Sequence, residues 1–284
     1  MSSEVTAAEA AYQGRPGAYS EAAARRLCGG DAVCLPCDTL REVFDAVAAG
    51  RARMAVVPVE NSLAGAVPGA LGLILSSDLV VHGETAEAID HVLVAPRGTT
   101  FDDLREVLSH PVALAQCEGF FRRHRQLTPV PVFDTAGALE LIVNDGDPSR
   151  AAIASRAAAA RHPSVILAEG IQDHRENYTR FFLLGRPPPA RPAHGPCRLV
   201  LAVRLEHRPG ALAELLQSVA SWRVNLTRID SWPVKGRPFE YEFLLEGLVD
   251  VAAVDQLVQN LSAVAWVRLL GCSPRAGGPG AMAS

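Results

Sequence analysis

The stretch Asp173-His-Arg-Glu-Asn-Tyr-Thr-Arg-Phe-Phe-Leu-Leu-Gly185 changes character in its middle. Polar residues give way to the apolar run 181–184, the pattern of a buried strand entered from a polar loop. Thr179 and Arg180 fall at that entrance. The threonine hydroxyl can donate a proton, and the arginine offers a permanent fork-shaped cation that fits a carboxylate. Phe181 opens the apolar run directly behind them.

Outward from this stretch, apolar runs of strand length alternate with helical patterns from residue 9 to residue 185. That alternation predicts α/β units built on parallel sheets. Predicted strands fall at 9–12, 54–59, 78–81, 91–95, 130–133, 151–154 and 165–168. Predicted helices fall at 20–27, from Leu40, from Leu63, at 100–108, at 112–125, from Ala136 and at 156–161. Thr39 with Glu42 reads as a capping box, and Pro111 suits a first helical position. Ligands of open α/β sheets bind beyond the carboxyl ends of strands. Glu60, Asn61 and Ser62 follow a strand in that way, and Ser109 and Thr135 sit at comparable ends. Asn61 or Ser62 can equally cap the helix expected from Leu63, and a helix start is itself an anion site. His91, beside an apolar strand, reads either as structural or as a substrate contact. Gly14 and Gly17 allow close approach of whatever occupies their turn, or are ordinary turn glycines.

Five prolines between Arg186 and Pro196 stop any helix or central strand, so 186–196 is a semi-rigid linker. Beyond it the order is strand 199–205, helix 211–222, strand 226–232, strand 239–245, helix 251–261 and strand 264–270. This β-α-β-β-α-β order is ferredoxin-like. In its third strand Phe239, Tyr241, Phe243 and Leu245 alternate with charged positions, as in a half-buried antiparallel strand. Each side of the linker carries a complete hydrophobic pattern, so a chain ending near Gly185 is expected to fold alone. The segments before Glu9 and from 272 to 284 read as loose tails.

The chain has 284 residues, 49% of them apolar and 20% charged, with a net charge of −4. No basic field recruits nucleic acid or anionic lipid. The N-terminus lacks the basic and apolar regions of a signal peptide, and no apolar run has membrane-spanning length. A soluble cytoplasmic protein is expected. Cys28, Cys34, Cys37, Cys117, Cys197 and Cys272 are scattered and read as reduced thiols. Cys34-x-x-Cys37 leaves a redox or metal role open, but no second pair supplies a zinc spacing.

Read together, several stretches resemble the prephenate dehydratase family, in that family's order. They are Ala11-Tyr-Gln-Gly-Arg-Pro-Gly-Ala-Tyr-Ser-Glu21, Val57-Pro-Val-Glu-Asn-Ser-Leu-Ala-Gly65, Ser109-His-Pro-Val-Ala-Leu-Ala-Gln-Cys117, Asp134-Thr-Ala-Gly-Ala138, Ala151-Ala-Ile-Ala-Ser155 and Asn177-Tyr-Thr-Arg-Phe181. The resemblance implies a two-lobed catalytic domain at 9–185, its second lobe at about 88–168, similar to type II periplasmic-binding-protein folds. It implies an ACT domain at 197–271, a small amino-acid-sensing module. The implied reaction, that of a carbon–oxygen lyase, turns prephenate into phenylpyruvate in phenylalanine biosynthesis. It uses no cofactor and no metal.

By the same resemblance Thr179, Arg180 and Phe181 are the catalytic string. Glu60, Asn61, Ser62, Gln116 and Thr135 are the substrate-binding candidates. The turn at Gly210, Ala211 and Leu212 with Asp230 and Ser231 would hold L-phenylalanine as an allosteric ligand between paired ACT domains. Asp230-Ser-Trp-Pro233 departs from the family's Glu-Ser-Arg-Pro, with Asp for Glu and Trp for Arg, which weakens that expectation. A homodimer or homotetramer is implied. Arogenate dehydratase, which would give phenylalanine directly, and a non-catalytic amino-acid-binding regulator are the alternatives.

Overall fold

The computed structural model describes residues 7–189, 191–234 and 236–274. The expected tail segments 1–6 and 275–284 lie outside the described residues. The chain divides into two compact units, Met1–Val67 with Ala86–Phe181, and Pro68–Thr85 with Phe182–Ser284.

The first unit contains two sheets. In one, strand Ala8–Gln13 runs parallel between Cys34–Cys37 and Ala52–Asn61. The start of strand Tyr178–Gly185 lies beside Ala52–Asn61 in the same sheet. Strand Cys34–Cys37 is absent from the sequence reading because Pro36 and the flanking polar residues break the apolar signal. Its two cysteines are three residues apart on a strand, so they point to opposite faces. Burial pushes both thiols up, so neither is a ready thiolate at neutral pH. This removes the basis for a shared redox or metal role.

The second sheet has the order Ser164–Glu169, Val92–Pro96, Arg150–Ala154, Glu106–Ser109, Thr128–Pro131. Its first three strands are antiparallel and its last three parallel, so it is mixed where a parallel sheet was expected. Val92 and Val94 pack on one face with Leu139 and Ile142, and Leu93 and Ala95 on the other with Val107 and Phe120. Burial on both faces explains why these strands are apolar at every position.

Three helices differ from expectation. Thr100 and Asp103 do form a capping box, but it closes one 3-10 turn, Phe101–Asp103, before strand Glu106–Ser109. Val107 and Leu108 pair with Ala151 and Ala152, and this sheet contact outweighs local helix preference. The helix expected at 112–125 breaks into Pro111–Ala115 and Glu118–Arg123. No helix begins at Leu63; the next one is Ala70–Ser76. Asn61 and Ser62 therefore cap no helix, and the helix-start anion site expected there is not formed.

Gly17 shows how tightly the first turn is seated. Its φ is +93°, and a Cβ would lie 2.5 Å from Ala158 Cα. Its carbonyl accepts from Ser155 Oγ at 2.6 Å, and its N–H donates to Glu21 Oε2 at 2.6 Å. The occupant that needs this glycine is helix Arg156–Ala159.

In the second unit strands Asn225–Pro233, Tyr241–Asp250, Pro196–Arg204 and Trp266–Pro274 form an antiparallel sheet in that order. Helices Ala211–Ser221 and Val254–Ser262 cover one face over Leu199, Leu201, Val203, Leu245 and Cys272. This is the ferredoxin-like order read from the sequence. The last strand continues past the expected end at Leu270; Cys272 and Ser273 are buried, so 272–274 is not tail.

Residues 68–85 belong to this unit, not to the 9–185 segment. Gly271 pairs with Val81, where a Cβ would stand 2.7 Å from the valine Cβ. The Arg268 guanidinium donates to the carbonyls of Ser77 at 2.7 Å and Leu75 at 2.9 Å. Gly72 lies against Trp232; a Cβ there would overlap the indole ring. A chain ending near Gly185 would lose these partners of 68–85.

Candidate active site

Strand Tyr178–Gly185 enters the sheet beside the end of Ala52–Asn61, and that junction joins the two motifs. Ser62 N–H donates to Tyr178 O at 2.8 Å, and Tyr178 N–H donates to Ser62 Oγ at 3.0 Å. Asn61 is buried beneath this clamp. Its Nδ2 donates to Asn177 Oδ1 at 2.7 Å and to Thr179 Oγ1 at 3.0 Å, and lies 3.2 Å from Tyr178 O. Its Oδ1 accepts from the N–H groups of Leu63 and Ala64 at 3.0 and 2.9 Å. Asn61 thus spends its amide on protein groups and positions Thr179; it is not free to hold substrate as expected.

Thr179 Oγ1 is the acceptor in this bond, so its own proton remains available to a second group. Arg180 donates to Glu60 at 3.0 Å. Each of these two expected ligand contacts neutralises the other's charge. Phe181, placed in the catalytic string, is 1% exposed. A side chain so enclosed in the core cannot meet substrate, and its role is packing.

Gln116 lies at the break between the two short helices. Its Oε1 is 3.0 Å from His91 Nε2. His91 is 2% exposed, its backbone N–H donates to Gln172 Oε1, and its Nδ1 is 3.4 Å from Tyr19 Oη. Burial holds the His91 pKa below its ordinary value, so the ring is neutral at pH 7. The neutral ring and the Gln116 amide share this one hydrogen bond, which holds the Gln116 side chain in place. His91 therefore serves Gln116. His91 was open in the sequence reading between a structural role and a substrate contact, and its burial favours the first; Asn177 carried no role there, and its only signal was its place in the stretch 177–181.

Thr135 begins helix Thr135–Asp145, and Asp134 caps Gly137 N–H at 2.6 Å. A depression of about 320 Å³ beside this helix is lined by Arg15, Val132, Phe133, Asp134 and Leu141, but not by Thr135. Ser109 is buried and donates to Ile153 O at 2.8 Å, so its hydroxyl is used within the sheet. Among the described residues no group of three or more His, Cys, Asp or Glu is arranged to hold a metal. Among them also, no helix is long and apolar enough to cross a membrane.

In the second unit Gly210, with φ +84°, precedes helix Ala211–Ser221. Ala211 and Leu212 line a depression of about 140 Å³ with Arg208, Glu240, Tyr241 and Phe243. Asp230 and Ser231 are not part of it. As neighbours on strand Asn225–Pro233 they point to opposite faces, so one strand side cannot present both to a ligand. Asp230 accepts from Arg228 Nε at 2.6 Å, and Arg228 also reaches Glu246 Oε1 at 3.2 Å.

Comparison with known proteins follows this geometry. The sequence profile of the family described as prephenate dehydratase matches residues 10–189. A bifunctional N-acyl-homoserine lactone acylase/prephenate dehydratase of Komagataeibacter europaeus is 38% identical over 237 residues, 83% of this chain and 84% of the relative. Arogenate dehydratase/prephenate dehydratase 2 of Arabidopsis thaliana is 36% identical, over 88% of this chain and 67% of that one. A solved prephenate dehydratase of Arthrobacter aurescens, in complex with L-Phe, superposes with a TM-score of 0.84 at 33% identity, covering 94% and 90% of the two chains. The chain belongs to the prephenate dehydratase family, with a ferredoxin-like, ACT-like C-terminal domain.

Proposed function

We propose that this protein removes carbon dioxide and water from arogenate or prephenate, with Thr179 assisting departure of the ring hydroxyl. The observation that carries this reading is the 3.0 Å contact from Asn61 Nδ2 to Thr179 Oγ1. The ring carboxylate leaves as carbon dioxide, and its bonding electrons enter the ring. The carbon–oxygen bond opposite breaks with its electron pair leaving on oxygen, and the departing hydroxide takes up a proton from solvent water. Hydroxide is a poor leaving group, so a positioned donor lowers the barrier. Thr179 accepts from Asn61 and keeps its own proton for the leaving oxygen. Threonine is a very weak acid, so it acts as a hydrogen-bond donor to developing charge, not as a free proton source. Neutral groups suit this step. A bare cation on the ring carboxylate would stabilise the ground state, and the Arg180 charge is balanced by Glu60.

The sequence reading put prephenate first. Arogenate has the further support of relatives that carry it alone in their names, arogenate dehydratases 2 and 1 of Petunia hybrida, 35% and 36% identical to this chain. Both would lose the same ring groups. Purified protein given each substrate separately should release phenylalanine from arogenate or phenylpyruvate from prephenate, and turnover of neither would end this reading.

Regulation by L-phenylalanine and assembly as a dimer or tetramer belong to the same proposal. Support comes from the L-Phe complex of the Arthrobacter relative and from strand Asn225–Pro233, an end strand of the sheet in this chain. Calorimetry with L-phenylalanine and the solution mass test these two points.

A further inference from the structure

We propose that Asn177 is a positioning residue for the dehydration, acting on Thr179 through Asn61. The inference rests on the reading of Thr179 given above. Asn61 Nδ2 faces three acceptors, of which Tyr178 O at 3.2 Å is the farthest. One amide proton reaches Asn177 Oδ1 at 2.7 Å, and the other reaches Thr179 Oγ1 at 3.0 Å. On its other side Asn61 Oδ1 accepts two backbone N–H groups. A flipped amide would set its NH₂ against those donors and its oxygen against Asn177 Oδ1. The amide therefore has one good orientation, and Asn177 Oδ1 helps to fix it.

The consequence reaches Thr179. With Asn61 donating, the Thr179 oxygen is committed as an acceptor and its hydrogen is directed away from Asn61. Bonds in such a chain polarise one another, so the Asn61 bond also makes the Thr179 hydroxyl a better donor. Asn177 is 0% exposed, so it acts from behind and does not meet substrate. Its own Nδ2 is buried and has no hydrogen-bond partner among the described residues. An unsatisfied buried donor is costly, and a residue retained only for packing has no use for it. What Asn177 supplies is an acceptor at one place.

Asn177→Leu keeps the volume and removes that acceptor. Asn177→Asp keeps an acceptor in the same position. Under this proposal Asn177→Leu lowers kcat about 10- to 100-fold with KM changed by less than about threefold, as for an interaction made in the transition state. Asn177→Asp keeps kcat within about fivefold of the parent, although a buried carboxylate lowers its melting temperature more than leucine does. Activity then follows the acceptor while stability follows burial, which a packing role cannot produce. In a Thr179→Ala background Asn177→Leu should cost nothing further, because both changes break one chain. A parent-like kcat in Asn177→Leu, or losses that multiply in the double variant, would overturn the relay and leave the role of Thr179 standing. A parent inactive on both arogenate and prephenate would overturn the reading and the relay together.

Discussion

Around Thr179 the buried polar groups are neutral: two asparagine amides and a hydroxyl, with the Glu60–Arg180 pair at the margin, where Glu60 is 43% exposed. On the sheet of the second unit the buried groups are charged. Glu84, Arg198, Glu246, Arg228 and Asp230 form a chain of ion pairs, and Glu246 is 0% exposed at its centre. Neutral bonds can orient a donor without stabilising a substrate carboxylate that must be lost. A buried ion chain costs desolvation, but it allows few alternative arrangements. The first arrangement suits chemistry on an anion. The second suits a surface that must keep one register.

The largest expected effect breaks the neutral side. Thr179→Ala should lower kcat by about two to four orders of magnitude, the range for a lost transition-state hydrogen bond. Its melting temperature should stay close to the parent's, and turnover within threefold of the parent would remove Thr179 from the mechanism. Next comes the charged side. Glu246→Gln should cost about 2–3 kcal/mol in denaturant unfolding, somewhat less than a fully orphaned buried pair, because each arginine keeps a second carboxylate. A loss near zero would mean that the chain contributes no net stability.

Under the proposed function Gln116→Ala should raise KM about tenfold and change kcat less, as for a group that binds substrate and transition state alike. A normal KM would place Gln116 with the structural residues. The smallest effect concerns pH. The folded-state pKa of His91 lies below its unfolded value near 6.5, so on acidification the unfolded chain takes the proton first. Its contribution to stability is therefore full above about pH 6.5 and is lost as the pH falls toward the folded-state pKa. The melting temperature should decline through that window, and less steeply in His91→Gln. Equal slopes would show that other groups set the acid limb.

Much of this was legible in the chain because it is local. The step from polar to apolar at Thr179–Phe181 announces a strand entrance whatever surrounds it. Thr39 caps its helix, with Glu42 N–H donating to Thr39 Oγ1 at 3.2 Å, but the Glu42 carboxylate accepts from Asp38 N–H, one residue before the Thr39 N–H that a capping box requires. Other signals were real but locally ambiguous. Thr100 and Asp103 make their capping box, yet Glu106–Ser109 becomes a strand because its partners lie more than forty residues ahead, at Arg150–Ala154. The hydrogen bonds of Asn61 are hidden from the sequence for a similar reason. A side chain at a strand end is open to ligand only if nothing else claims its hydrogen bonds, and its claimant, Asn177, is 116 residues away. Asp230 and Ser231 stand in a motif, but strand geometry separates them, and a motif written in letters does not show faces.

The grouping of Pro68–Thr85 with the C-terminal sheet has an evolutionary meaning. A domain that is joined only through its end can be gained, lost or exchanged by one recombination event. Here the first half of the gene encodes a piece of the second half's fold, held by Arg268, Gly271 and Trp232. A new C-terminal partner would have to bring an arginine for those carbonyls and a ring for the notch at Gly72.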